Sequence, residues 1–223
     1  MTAEPSTERA HDAERTRTDI LDVATREFAR RGYDGTRVDE IAALTRATKR
    51  MIYYYFGDKR GLYVAVLEKA YRELRAVQRT VDVEHLPPVD AIRALAERTF
   101  DHDDTHQDLI RLIAAENIHD AEHLRGSAEL TRLGDPAIEV IARILEAGRA
   151  TGDFVTEADA VDVHMLIGAF CFFRTSNHHS FAALFGRDMM APEHRAHLRR
   201  MVGDMVVAYL RGTPDGRTPP RAP

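Results

Sequence analysis

The sequence predicts an all-α fold in two parts: an N-terminal three-helix helix-turn-helix unit, followed by a larger helical domain. Three observations carry this. Apolar residues recur at intervals of three and four along nearly the whole chain. No stretch alternates apolar and polar residues with period two over a useful length, so no sheet is expected. Helix-starting Thr and Asp and helix-stopping Gly and Pro punctuate the periodic stretches. The expected limits are a disordered arm at 1–14, the helix-turn-helix unit at 15–60, the larger domain at 61–211 and a Pro- and Gly-rich disordered tail at 212–223.

Each element has its own signal. Ile20, Val23, Ala24 and Phe28 share one face of the first helix, and Gly32 follows as a stop. Thr36 is placed to cap a short second helix with Val38, Ile41 and Ala42 inward. Thr48 is placed to cap a third over 48–55, in which Ile52 and Phe56 are spaced i, i+4. Asp58 opens a long fourth helix carrying Leu62, Val66, Ala70, Leu74 and Val77. "LPPVD" at 86–90 breaks the chain and opens a helix through Phe100, and "DHDDTH" reads as a polar joint. Residues 107–120 are periodic and 121–134 have no clear pattern. A helix is expected to start at Asp135–Pro136 and stop near Gly152. The last two long helices are expected at 157–176 and 192–211. No internal repeat is visible.

Composition narrows the function classes. The chain has 223 residues, 44% of them hydrophobic and 30% charged, with a net charge of -5. No run of about 18 apolar residues occurs, and the N-terminus lacks the apolar core of a signal peptide, so a soluble cytoplasmic protein with no membrane partner is expected. A single cysteine, Cys171, excludes an internal disulfide and fits a reducing compartment. Residues 15–60 hold eleven Lys or Arg against seven Asp or Glu, a local net of +4 that leaves -9 for the remainder. A basic front on an acidic body suits a polyanion-binding unit attached to a domain with another task.

The stretch "TKRMIYYYFGDKRGLY", 48–63, sets four aromatics in a row between basic pairs. On a helix, neighbours point about 100° apart, so the four rings cannot all enter one core. Helices at 38–45 and 48–55 have helix-turn-helix spacing. Ile52 and Phe56 then lock the third helix onto Ile20, Phe28 and Ile41. Tyr53 and Tyr55 lie at its flanks, where a phenol can donate to phosphate, and Tyr54 faces outward to base edges and sugars. Lys49 and Arg50 are placed for the major groove, and Lys59 brings charge and a helix N-terminus to the backbone. The alternative is an aromatic surface patch for another protein.

The segment "ILDVATREFARRGYDGTRVDEIAALTRATKRMIYYYFGDKRGLYVAVL" resembles the DNA-binding domain of TetR/AcrR-type bacterial transcription regulators. The resemblance rests on Phe28, Gly32, Tyr33, Thr36, Val38, Ile41, Ala42, Thr48, Lys49, Ile52, Tyr53, Tyr55, Phe56, Lys59 and Leu62. It places Thr36 and Thr48 in the DNA-facing set. Arg37 stands where the family has a small hydroxyl residue and Arg46 where its turn has Gly, and both are expected to contact phosphate. A positive φ at Arg46 would strain the turn.

Beyond residue 80, "TFDHDDTHQDLIRLIAAENIH" and "DVHMLIGAFCFFRTSNHHSFAALFGRD" are similar to a subgroup that includes regulators of aromatic or heterocyclic catabolism. The resemblance implies a domain that binds a small molecule and pairs with a second copy through its last two long helices. The pairing surface is expected on Leu198, Met201, Val202, Met205, Val206 and Tyr209, with Gly168, Ala169 and Phe172 on the preceding helix. Polar residues that continue apolar stripes mark a candidate effector pocket. Ile113, Glu116 and Asn117, His164, Arg174 and His178, with Phe100, Phe170 and Phe173 as aromatic walls, form that set. Arg174 would favour a carboxylate.

The implied function is a ligand-responsive repressor that binds a near-palindromic double-stranded operator as a homodimer and is released by a small, aromatic or carboxylate-bearing inducer. No phosphate loop, nucleophile elbow or zinc-protease motif is present, so neither catalysis nor a cofactor is expected. His119 and His123, with Glu116 and Glu122, and the His102, Asp103, Asp104 and His106 cluster leave open a metal sensor or metal-dependent enzyme. An architectural DNA-binding protein without ligand control is the remaining alternative.

Overall fold

The structure, a computed structural model, describes residues 5–79, 85–125 and 127–212. Among these the chain forms helices only: α1 (Pro5–Gly35), α2 (Val38–Leu44), α3 (Lys49–Phe56), α4 (Lys59–Arg79), α5 (Pro88–Thr105), α6 (Gln107–Ile118), α7 (Ala128–Thr151), α8 (Ala160–Ser176), α9 (His178–Phe185) and α10 (Pro192–Arg211). No helix among the described residues is long and apolar enough to cross a membrane. Residues 5–14, expected as a disordered arm, continue α1 as helix. The first four residues, the tail from 213 and the Val77 side chain lie outside what is described.

The chain divides into two compact units. The first takes α1–α3, α4 to Tyr71, and Asp108–Leu130; the second takes α4 from Arg72, α5, α7 from Thr131, and α8–α10. This departs from the expected boundary at residue 60, because α6 belongs to the first unit. The reason is Leu112, which has no exposed surface and packs in one core with Ile20, Phe28, Ile41, Ile52, Leu62 and Val66. Periodicity reveals that a helix has an apolar face, but not which core that face enters.

Several element boundaries also move. Gly32 interrupts α1 with φ 71 and ψ 177, a conformation that side-chain-bearing residues rarely adopt. Thr36 is not the cap of α2. It is fully buried, and its hydroxyl donates to the carbonyls of Glu27 and Gly32, leaving Arg37 at the cap position with no capping bond. Thr48 does cap α3, accepting from the Met51 amide at 3.3 Å, and Asp58 opens α4 by accepting from the Gly61 amide at 2.7 Å. The polar joint at 101–106 is largely the last turn of α5. Helix α7 starts at Ala128, so Asp135–Pro136 lies inside it. The short helix α9 was not expected from the sequence.

The second unit is organised around α5, which packs on both α8 and α10. Its core joins Ile92, Leu95 and Phe100 to Ile141, Ile144, Val163, Ile167, Val202 and Val206. After α7 the chain turns at Gly152 and lays Phe154 back over Gly148. A β-carbon on Gly148 would sit 2.0 Å from the Phe154 ring. Gly148→Ala is therefore expected to destabilise the protein by about 1–3 kcal/mol through overpacking. Chemical denaturation checks this.

Candidate nucleic-acid interface

Helix α3 takes its orientation from Ile52, its fully buried residue. Turning about 100° per residue, Arg50 and Tyr54 fall roughly 160° from Ile52, on the opposite face. Both are exposed, Tyr54 at 83%, the highest value among the exposed large hydrophobic side chains. Phe56 and Tyr55 fall close to Ile52 and pack against the core of the first unit. Tyr55 is thus more a core residue than a flanking phosphate donor. Tyr53 stays on the flank at 39% exposure. The Arg17 guanidinium lies 5.4 Å from the Phe56 ring centroid, a cationic contact on α1 that no sequence signal marked.

Lys49 falls on the flank nearest α2. Its ammonium is 2.7 Å from Asp39 and 5.8 Å from the Tyr53 ring centroid. The hydrogen bond raises the Lys49 pKa and holds the Asp39 carboxyl below its usual range. Both groups are solvated, so separating Lys49 from Asp39 costs little. Arg37 and Arg46 are exposed, Arg37 lying 3.8 Å from Asp39. Arg46 does not take a positive φ, so the expected strain is absent. Thr45 shapes the turn instead, its hydroxyl accepting from the Ala47 amide at 3.2 Å. Thr36 is withdrawn from the DNA-facing side chains by its burial. Arg31 ties α1 to α2 through Glu40 at 2.6 Å and also meets Glu27 at 3.2 Å.

Lys59 stands at the start of α4, with its ammonium 4.6 Å over the Tyr33 ring and donating to the Asp34 carbonyl at 3.4 Å. Tyr33 in turn packs against His123, with ring centroids 4.3 Å apart. Sequence reasoning missed His123 here because the contact joins residues far apart in the chain.

The expected effector residues are distributed over both units. Ile113, Glu116 and Asn117 belong to the first unit. Glu116 is buried and accepts from the His123 side chain at 3.0 Å and the His123 amide at 3.2 Å, so it is a structural acceptor already in use. Asn117 is exposed and donates to the Ile113 carbonyl. In the second unit, Phe100 is buried beneath the Arg174 guanidinium at 4.2 Å. Arg174 is buried and bound to Asp104 at 2.7 Å and to the Met189 carbonyl at 3.1 Å, so its charge is already balanced. Burial pushes the Asp104 carboxyl up, but hydrogen bonds from Arg195 and Arg174 outweigh it and hold the group below its usual range. Phe170 and His178 are half-buried, and Phe173 is 50% exposed against Phe181 of α9.

The metal reading loses its geometry. Residues 119–125 are turns rather than helix, with Asp120 and Ala121 at positive φ, so His119 and His123 do not share a helix face. His119 is exposed and His123 is buried against Glu116. In "DHDDTH", His102 is buried and stacked on His106 at 4.1 Å. Its Nδ1 lies 3.4 Å from Asp103, and its Nε2 is the one buried side-chain polar atom without a partner among the described residues.

The expected pairing stripe divides. On α10, Val202 and Val206 are buried in the core, with Leu198 packed against it, while Met201, Met205 and Tyr209 are exposed. On α8, Ala169 is exposed and Gly168 and Phe172 are half-buried. Val161 and Met165 add exposed apolar surface to that side.

His164 is half-buried on α8, and burial, reinforced by the nearby Arg75, lowers its pKa. Below about pH 6.5 the unfolded chain then binds a proton that the folded chain resists, so stability is lost as pH falls from there through the lower folded value. Thermal unfolding followed from about pH 7.5 to about pH 5 should show this loss, and His164→Gln should flatten it.

Comparison with known proteins agrees with this architecture. Residues 20–66 match the family described as bacterial regulatory proteins, tetR family, and residues 88–206 match the tetracyclin repressor-like C-terminal domain. The HTH-type transcriptional repressor NicS of Pseudomonas putida is 32% identical over 203 residues, covering 91% of this chain and 96% of that protein. The HTH-type transcriptional repressor SCO4008 of Streptomyces coelicolor is 39% identical over 121 residues, covering 54% and 57%. Among solved structures, the regulator SCO4942 of Streptomyces coelicolor superposes with a TM-score of 0.64 at 29% identity, covering 85% of this chain and 97% of that one. The family matches, the full-length relative and the helix-turn-helix geometry together show that this chain belongs to the TetR family of transcriptional regulators, a family of DNA-binding proteins and not of enzymes.

Proposed function

We propose that the protein is a repressor that binds a near-palindromic operator as a homodimer and releases it when the second unit takes up a small molecule. The observation that carries the DNA half is the division of α3, with Ile52 buried and Arg50 and Tyr54 opposite it in solvent. Arg50 and Tyr54 meet base edges, Lys49 joins them after leaving Asp39, and Arg37, Arg46, Tyr53 and Lys59 hold phosphates. Two-fold symmetry sets the half-sites about one helical turn, roughly 34 Å, or somewhat more apart. NicS and SCO4008 are both transcriptional repressors, which supports repression as the sense of control.

A duplex selected by the protein from a randomised library provides the test. Lys49→Ala and Arg50→Ala are expected to relax sequence preference, Arg50→Ala costing about 1–3 kcal/mol at the base it reads. Tyr53→Phe and Lys59→Ala should weaken all duplexes evenly, and Arg37→Ala and Arg46→Ala should flatten the salt dependence. Unchanged affinity across the series, measured by gel shift at fixed salt, would remove α3 from the DNA.

The dimer is built on the outward half of the apolar stripes, Met201, Met205 and Tyr209 of α10 with Gly168, Ala169 and Phe172 of α8. Gly168 favours a close approach, since a β-carbon there meets nothing within 4 Å. Met205→Glu should give a folded monomer in sedimentation, with operator binding lost. Val206→Glu should instead unfold the second unit, because it places a charge in the core. A wild-type monomer at about micromolar concentration would end this reading.

The effector half rests on His102 in the second unit. An unpartnered buried polar atom costs about 1–3 kcal/mol, a cost that a ligand's hydrogen bond would remove. Arg174, with Asp104 already bound, gives no support for a carboxylate.

A further inference from the structure

Within the first unit, a polar and aromatic chain runs from the end of α6 to the start of α4. Glu116 has 1% of its surface exposed. Both its oxygens accept from His123, one from the ring at 3.0 Å and one from the amide at 3.2 Å. The Tyr63 hydroxyl also meets Glu116, and burial followed by that carboxylate pushes the phenol pKa up. The His123 ring, 7% exposed, packs on Tyr33 at 4.3 Å and on Tyr63 at 4.9 Å, and those two rings meet each other at 5.0 Å. Tyr33 carries the Lys59 ammonium on its face at 4.6 Å. The turn that delivers His123 includes two consecutive non-glycine residues at positive φ, Asp120 and Ala121. Such a turn persists only where its surroundings hold it, and the Glu116 carboxylate grips the segment directly after it.

A core needs neither a buried carboxylate nor a strained turn to be stable. Leucines at 116 and 123 would fill comparable space without the desolvation cost. What the arrangement does achieve is a fixed Tyr33 ring, and therefore a fixed Lys59. A lysine loses rotamer freedom when it binds a phosphate, and one already held in place has less to lose.

We propose that His123, clamped by Glu116, is a positioning residue for DNA binding that orients Lys59 through the Tyr33 ring. This rests on the reading of Lys59 as a backbone contact. The test is a double-mutant cycle on the library-selected duplex at fixed salt, with the full chain. The paired change His123→Phe and Glu116→Gln keeps an aromatic ring in place and removes the buried charge. It is expected to weaken binding about three- to tenfold, the range that ordering one long side chain is worth. In a Lys59→Ala background the same pair should change affinity less than about twofold. Thermal unfolding should show the same shift in both backgrounds, which separates positioning from stability. If the paired variant shows no cooperative unfolding, the single change His123→Phe takes its place in the cycle and is read the same way. Equal losses of affinity in both backgrounds overturn the proposal while leaving Lys59 as a contact. A Lys59→Ala protein with wild-type affinity and salt dependence overturns the Lys59 reading itself, and the positioning role with it.

Discussion

A helix of eight residues has room for little more than one direction of burial, and in α3 that direction is set by Ile52. Its contacts with the cores of α1 and α2 fix the rotation of the helix about its axis, and every other side chain follows at steps of about 100°. Arg50 and Tyr54 are sent outward, Tyr55 and Phe56 inward, and Lys49 towards Asp39. The aromatic run is therefore three things at once: a core anchor, a packed flank and an exposed face. Losing the fit of Ile52 would cost more than its own burial, since the rotation of the DNA-facing residues depends on it.

The same geometry explains why α10 carries an apolar arc wider than one core can use. Val202 and Val206 are separated by one residue, or about 100°, from Met201 and Met205. The first pair closes the second unit's core; the second pair and Tyr209 stay in solvent beside the apolar side of α8. From the sequence the two halves form one continuous stripe. Only the packing of α5 against α10 decides where inside ends, and that pairing joins residues about a hundred positions apart.

Helix existence was legible because it is written in local periodicity and in caps such as Thr48 and Asp58. The rotation of α3 was legible for the same reason. Thr36 and Arg46 were misjudged because a family pattern gives residue types, not the carbonyls a buried hydroxyl will find or the φ a turn will take. Glu116 and Arg174 looked like ligand anchors because both continue apolar stripes, and a buried charge without a visible partner invites that reading. Their partners were present in the sequence, His123 seven residues on and Asp104 seventy residues back. The first spacing equals two helical turns but crosses the break at 119–125, and the second spans several elements, so helical periodicity pairs neither.

The charges of the second unit make the same point energetically. Arg174, Arg195 and Arg199 face Glu97, Asp101 and Asp104, and every one of these groups has an opposite charge within bonding distance. Removing Asp104 would strand the buried Arg174 at a cost of about 3–5 kcal/mol, whereas Asp104 would keep Arg195 if Arg174 were removed. An anionic ligand at Arg174 would have to displace Asp104 and meet that cost before gaining anything. Two residues before Asp104 on α5, His102 is in the opposite position, because its buried Nε2 has no partner to lose among the described residues. Its Nδ1 faces Asp103 at 3.4 Å, so Nε2 is the ring nitrogen left to take a new hydrogen bond. The polar group with bonding capacity to spare is therefore the imidazole and not the guanidinium, although the guanidinium is the one that stands out in the sequence.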